Sequence, residues 1–172
     1  MPKRQLKLKG KIAMEDAKGR QLPPGDYWFE DLHEGDWFET GRIMVTEAHI
    51  VNFAGLSGDF FDVHMDDDFA RAQGFPRRVA HGLLGLALAD GLKNRASVRL
   101  MVAASLGWNW QFTGPIFAGD RIGARITVIE KRLSSKGKAI VTLHLEVTQQ
   151  EGRVVQKGET TLLARSKLRM AT

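Results

Sequence analysis

The chain has 172 residues, 43% hydrophobic and 26% charged, the make-up of an ordinary soluble globular protein with enough material for one sizeable core. Its net charge of +5 is spread along the chain without interleaved aromatic residues, so it builds no base-stacking platform for nucleic acid and suits an anionic small molecule as well. With no cysteine there are no disulfides or thiolate metal sites; no apolar run approaches the roughly 20 residues of a membrane span, and a cytoplasmic location with no membrane or nucleic-acid partner is expected.

Residues 1–25 are basic and glycine-dotted, end in Leu22-Pro23-Pro24-Gly25, and read as a tail or arm before a single domain over residues 26–168. From Tyr27 to Thr40, aromatic residues flank a His33-Glu34-Gly35-Asp36 turn, as in an edge segment that packs Trp28, Phe29, Trp37 and Phe38 on the core. A short strand after Gly41 is followed by Thr46 and EAHIVNFAGL, the pattern of an N-capped helix ended by Gly55, Ser57 and Gly58. Residues 59–65 are expected to form a loop, and Asp66 to Gln73 a helix with acidic residues in its first turn, stopped by Gly74.

Residues 80–92, AHGLLGLALADGL, are apolar almost all round, so this helix is expected to be buried. The period then changes. Residues 97–113 predict one long or broken strand, and Ile122, Ala124, Ile126 and Val128 alternate with polar neighbours in the next. Ser134 to Gly137 and Glu151-Gly152 are turns around a strand with Val141, Leu143, Leu145 and Val147 on one face, and a last strand runs from Val154 to Arg165. Helices first and antiparallel strands after indicate an α+β domain in which a curled antiparallel sheet wraps a central apolar helix. Exposed sheet edges favour pairing two copies, so at least a homodimer is expected.

The chemistry-bearing residues concentrate between Leu56 and Gly91. Asp59 and His64 stand five apart, where a carboxylate and an imidazole can hold and deprotonate one water; equally, Asp59 can cap the turn after Gly58 and His64 can be a surface residue. Gly82 opens the apolar helix, where unpaired N–H groups and the helix dipole stabilise a developing negative charge, although glycine also permits close packing. His81 fits a helix cap or a core position as well as a site. Asp62, Asp66, Asp67 and Asp68 crowd together without EF-hand spacing, so no metal is expected.

The stretches Ala54-Gly55-Leu56-Ser57-Gly58-Asp59, Val63-His64-Met65-Asp66, Val79-Ala80-His81-Gly82-Leu83-Leu84 and Pro115-Ile116-Phe117-Ala118-Gly119-Asp120 closely resemble the MaoC-like dehydratases, the family of (R)-specific enoyl-CoA hydratases. The resemblance runs over roughly residues 28–166. It implies a hot dog fold with the 80–92 helix at its centre, a dimer with sites near the interface, and reversible hydration of a trans-2-enoyl thioester to a 3-hydroxyacyl thioester. It assigns Asp59 and His64 to water activation and the Gly82 N–H to the thioester carbonyl of an acyl-CoA, with no cofactor. A thioesterase and a non-catalytic acyl-thioester-binding subunit are the alternatives. Two positions depart from the family pattern: Phe61-Asp62 stands where Asn-Pro is usual, and Asp90 replaces a small hydroxyl residue in the central helix. A carboxylate there is costly unless paired, so Asp90 is expected to bind His81 or an arginine or to shape the pocket. Phe60, Phe61, Asp62, His81 and Asp90 are the expected substrate-binding residues.

Overall fold

The computed structural model describes residues 19–169. Strand β1 (Gly25–Tyr27) is followed by β2 (Trp37–Glu39) and β3 (Ile43–Met44), then by helices α1 (Glu47–Ser57), α2 (Asp62–Met65), α3 (Asp67–Ala72) and α4 (Gly82–Asn94). Strands β4 (Val98–Leu100), β5 (Val102–Phe112), β6 (Arg121–Leu133), β7 (Ala139–Thr148) and β8 (Val154–Ala164) complete the chain. The main sheet has the order β2-β6-β7-β8-β5, with β3 on a further stretch of β6. All its pairings are antiparallel, and β1 pairs with β4 in parallel.

The alternation expected for β6 and β7 is realised, since Ile122, Ala124, Ile126 and Val128 and then Val141, Leu143, Leu145 and Val147 are all buried. Gly137 between β6 and β7 and Gly152 between β7 and β8, both at positive φ, turn the chain. Apolar side chains gather in two clusters. One joins Leu32, Phe38, Val98, Ile126, Leu143, Leu145 and Leu162; the other joins Val45, Ile50, Leu84, Ile116, Ile122, Val147 and Val155 beneath α1 and α4.

Of the two forms expected for residues 97–113, the structure has the broken strand, with β4 and β5 parted at Met101. Several other expectations are corrected. Residues 59–65 are not all loop, because α2 forms one turn and the His64 N–H bonds to the Phe61 carbonyl at 2.9 Å. Residues 19–25, assigned to a tail, are docked: Leu22 is in the first cluster, its N–H reaches the Trp37 carbonyl (2.8 Å), and Arg20 pairs with Asp36 at 2.8 Å. The basic residues 1–18 of the expected arm lie outside the described residues. Of the four aromatics expected on the core, Phe38 is buried and Phe29 packs half-buried against the first cluster, while Trp28 and Trp37 are half-buried; Leu32 between them is fully buried.

The central helix is not covered all round. Leu84, Gly85, Ala89, Leu92 and Lys93 are buried, but Leu83 is 60% exposed, and Ala87 and Gly91 continue the open stripe at helical spacing. Strand β5, at the edge of the sheet, is likewise open, with Leu106 and Phe112 exposed.

Candidate active site

Helix α1 starts at Thr46, whose side chain accepts the His49 N–H while His49 Nδ1 accepts the Thr46 N–H at 3.0 Å, a reciprocal cap. It ends at Gly58 in the left-handed region (φ 78°), with the Gly58 N–H on the Ala54 carbonyl at 2.8 Å. Glycine adopts that conformation without steric cost, and it turns the chain so that Asp59 leaves the helix axis. Ser57 Oγ then accepts the Asp59 N–H (3.2 Å), and Asp59 Oδ1 accepts the Phe61 N–H (3.3 Å). Both bonds are local, each spanning two residues, and both hold the turn that carries the carboxylate.

The next segment is clamped from two sides. Asp66 caps α3 through the N–H groups of Asp68 and Phe69. Asp67 Oδ1 accepts the Arg78 N–H at 2.9 Å and the Arg78 Nε at 3.2 Å, while Arg78 Nη2 reaches Glu47 at 3.0 Å. The Arg78 backbone N–H, opposed by burial and joined by the charges of Arg78 and Arg71, holds the Asp67 carboxyl below the usual carboxylate range. One residue on, the Val79 N–H bonds the Val63 carbonyl at 3.0 Å, so residues 78–81 lie across α2.

That placement decides the state of the histidines. His64 Nδ1 is 2.7 Å from the Val79 carbonyl. A carbonyl only accepts, so Nδ1 carries the proton and the neutral ring keeps its lone pair on Nε2. His81 Nε2 is 2.8 Å from the backbone carbonyl of Asp59 and by the same reasoning donates to it. His81 is only 3% exposed, and its Nδ1 is the buried side-chain polar atom left without a hydrogen-bond partner among the described residues. The two imidazoles stack with centroids 3.8 Å apart at 28°, and the Phe53 ring lies tilted against His81 at 5.0 Å.

One donor atom each from Asp59, His64 and His81 lies within 4.8 Å of the other two. That is the span a single water bridges with two hydrogen bonds of about 2.8 Å. The same atoms are poorly arranged for a metal ion. In near-parallel rings the in-plane lone pairs run side by side and do not converge on one centre at roughly 2.0 Å, as ligation by both would require.

Gly82 is the first residue of α4, directly after His81. Its N–H and that of Leu83 precede the first intrahelical bonds and point out of the helix, whereas the amides of Leu84 and Gly85 turn back to the His81 carbonyl. A Cβ at Gly82 would lie 2.8 Å from Phe112 Cε1, so this position packs against a ring as well as offering a donor.

These groups share a cavity of about 460 Å³. Asp59, His64, His81 and Gly82 line it together with Phe53, Phe75, Phe112, Pro115, Ile116 and Gln156. The structure thus brings together four of the residues singled out in the sequence. Phe60, Phe61 and Asp62 are exposed and absent from the lining, with Phe61 packed edge-on against Phe69 instead (5.6 Å). Asp90 is absent as well. Its partner is neither His81 nor an arginine but Lys93 on its own helix (2.6 Å), with Asn94 at 3.3 Å, because residues three and four apart share a helix face. Residues the sequence did not single out are Val79, which acts through its carbonyl, Phe53, and Gln156, visible only as a lone amide at the start of an apolar strand.

The MaoC like domain family matches residues 33–150. Protein MaoC of Klebsiella aerogenes is 39% identical over 119 residues, 69% of this chain but 36% of that protein, so the chain spans about a third of its length. The (R)-specific enoyl-CoA hydratase of Rhodospirillum rubrum is 31% identical over 140 residues, 80% of this chain and 91% of that protein. Among solved structures, the R-hydratase PhaJ1 from Pseudomonas aeruginosa in its unliganded form has a TM-score of 0.70 at 28% identity, covering 81% of this chain and 86% of that one. A sheet wrapped on one apolar helix, matched along more than half of its length by the family, makes this chain a member of the MaoC-like dehydratases, hydro-lyases built on the hot dog fold.

Proposed function

We propose that the protein reversibly adds water to a trans-2-enoyl-CoA thioester to give a 3-hydroxyacyl-CoA. The observation that carries this reading is the convergence of Asp59, His64 and the first amide of α4 on one cavity of about 460 Å³. The thioester carbonyl accepts the Gly82 N–H, where the helix dipole adds partial positive charge. Polarising that carbonyl draws electron density from C3 and acidifies C2. A water held between the Asp59 carboxylate and His64 Nε2 adds its oxygen to C3, its proton passes to the pair, and one proton is delivered to C2 as the enolate collapses. Dehydration runs the same steps backwards. No redox step occurs and no cofactor is called for.

The active unit in this proposal is a homodimer formed along the edge strand β5. The exposed Leu106 and Phe112 of β5 and the exposed Leu83 of α4 form an apolar face, and Phe112 and Leu83 also line the cavity, so a second copy would cover its mouth. Among the described residues no helix is long and apolar enough to cross a membrane.

The test follows the absorbance of crotonyl-CoA at its enoyl-thioester band, with free thiol assayed in parallel. Loss of the band without thiol release is the expected result. Thiol release, or binding with no change in the ligand, would reject hydration. Light scattering on the same protein reads the dimer.

A further inference from the structure

We infer that Gln156 closes the acyl end of the cavity and restricts the substrate to short-chain thioesters. This rests on the enoyl-thioester reading and extends it to the length of the acyl group. Gln156 lies on β8 opposite Phe112 of β5, is 1% exposed, and lines the cavity. Both ends of its amide are engaged: Nε2 donates to the Gly82 carbonyl at 3.0 Å, and Oε1 accepts the Trp110 Nε1–H at 3.1 Å. Burying a primary amide is costly unless it is paired, so a side chain bonded at both ends among apolar neighbours is held in one place.

Its position decides what it blocks. An acyl chain whose carbonyl sits on the Gly82 N–H has the seam between α4 and β5 as an apolar path along the helix. Within the next turn, about 5.4 Å further along the axis, the Gln156 amide fills the notch at Gly85, where any added Cβ would collide with it. Beyond the notch the seam is closed again. Trp110 and Trp108 meet edge to face at 5.5 Å, and the buried Lys93 stands 5.4 Å over the Trp108 ring while paired with Asp90. A long chain would have to displace a doubly bonded amide, then two indoles and an ion pair. A short one ends before the notch. Asp90, outside the cavity lining, thus belongs to the barrier behind its floor.

The experiment measures kcat/KM for crotonyl-, 2-hexenoyl-, 2-octenoyl- and 2-decenoyl-CoA with wild type, Gln156→Ala and Gln156→Leu. Wild type is expected to favour crotonyl-CoA over 2-octenoyl-CoA by tenfold or more. Gln156→Ala, which empties the notch, should shift that ratio at least tenfold toward the longer chain, chiefly through KM. Gln156→Leu keeps the bulk and should keep the wild-type length profile even where kcat falls. A wild type indifferent to length, or a Gln156→Ala variant that scales every length equally, overturns the inference; equal scaling is the mark of a purely structural tether. Should Gln156→Ala not fold, Trp110→Phe, which frees Oε1 and leaves the amide in place, should move the ratio in the same direction by less, and no movement overturns it. Calorimetric binding of butyryl-CoA and octanoyl-CoA to wild type separates this inference from the reaction itself. If no enoyl-CoA is hydrated but butyryl-CoA binds at least tenfold more tightly, the hydratase reading falls and the floor stands; equal affinities overturn the floor.

Discussion

Strands β6, β7 and β8 run the length of the molecule and supply both apolar clusters, yet their two ends are finished differently. At the end holding Leu143, Leu145 and Leu162, the buried carboxylate of Asp36 has its partners: Arg20 through Nε (3.1 Å) and Nη2 (2.8 Å), and the His33 N–H at 2.8 Å. At the end holding Val147 and Val155, the same strands border a cavity, His81 keeps an unpartnered buried nitrogen, and Gln156 spends its amide on the start of a helix. The first arrangement is what stability alone selects, since the buried carboxylate has its donors. The second leaves an unsatisfied buried nitrogen beside a carboxylate and an imidazole that line one cavity, a cost that makes sense where a ligand is to be received.

The contrast is sharpest if variants at the two ends separate activity from stability. Asp59→Asn and His64→Ala should lower hydration of crotonyl-CoA roughly 10²–10⁴-fold, the usual contribution of a positioned acid or base. Thermal unfolding should change little for Asp59→Asn, whose side chain is exposed. Activity near wild type in the double variant would remove the pair from the mechanism. At the other end, Leu143→Ala deletes a fully buried side chain and should cost about 2–5 kcal/mol in denaturant unfolding. Turnover per folded molecule should be unchanged, and a parallel fall would show that the two ends are one unit.

Gly82→Ala should lower kcat about tenfold or more, because its Cβ would press on Phe112 at 2.8 Å and shift the first amides of α4, and small displacements at a reacting centre carry large penalties. Phe112→Leu in the same chain should recover part of the loss; no recovery would mean that the shift arises elsewhere. The smallest effect is expected at Asp36→Asn, about 1–3 kcal/mol of stability from lost charge-assisted hydrogen bonds. Burial pushes this carboxyl up, but the Arg20 hydrogen bond, the His33 N–H and the nearby charges outweigh it and hold the group below the usual range. A depressed folded value stabilises the protein above the unfolded pKa of about 3.9 and loses that contribution as pH falls below it. The wild-type and Asp36→Asn stability curves should therefore converge at acid pH, and a constant gap would mean that the charge is not the cause.

Much of this was legible in one dimension because it depends on local spacing. The Thr46 cap, the Gly58 and Gly74 stops, the alternation in β6 and β7 and the continuous apolar run of α4 each follow from the backbone geometry of a few consecutive residues. Asp59, His64 and Gly82 were legible as types and as a resemblance, since residue chemistry and order survive in the sequence. The state of the site was not. Which nitrogen of His64 keeps its lone pair is decided by the Val79 carbonyl fifteen positions away, a backbone group that no side-chain pattern marks. His81 is oriented by the carbonyl of Asp59, not by its carboxylate, a distinction invisible in the residue letters. Phe60, Phe61 and Asp62, expected to bind substrate, are exposed where the chain enters α2; Asp90, expected to need a partner within an apolar helix, finds it in Lys93 three residues on. Sequence by itself determined the periodicities, the stops and the residue types offered for a site, because these are properties of neighbours. Tertiary structure alone decided the tautomers, the cavity and the floor that Gln156 places in it, because each depends on atoms that meet only when β8, α4 and the 59–81 segment are packed against one another.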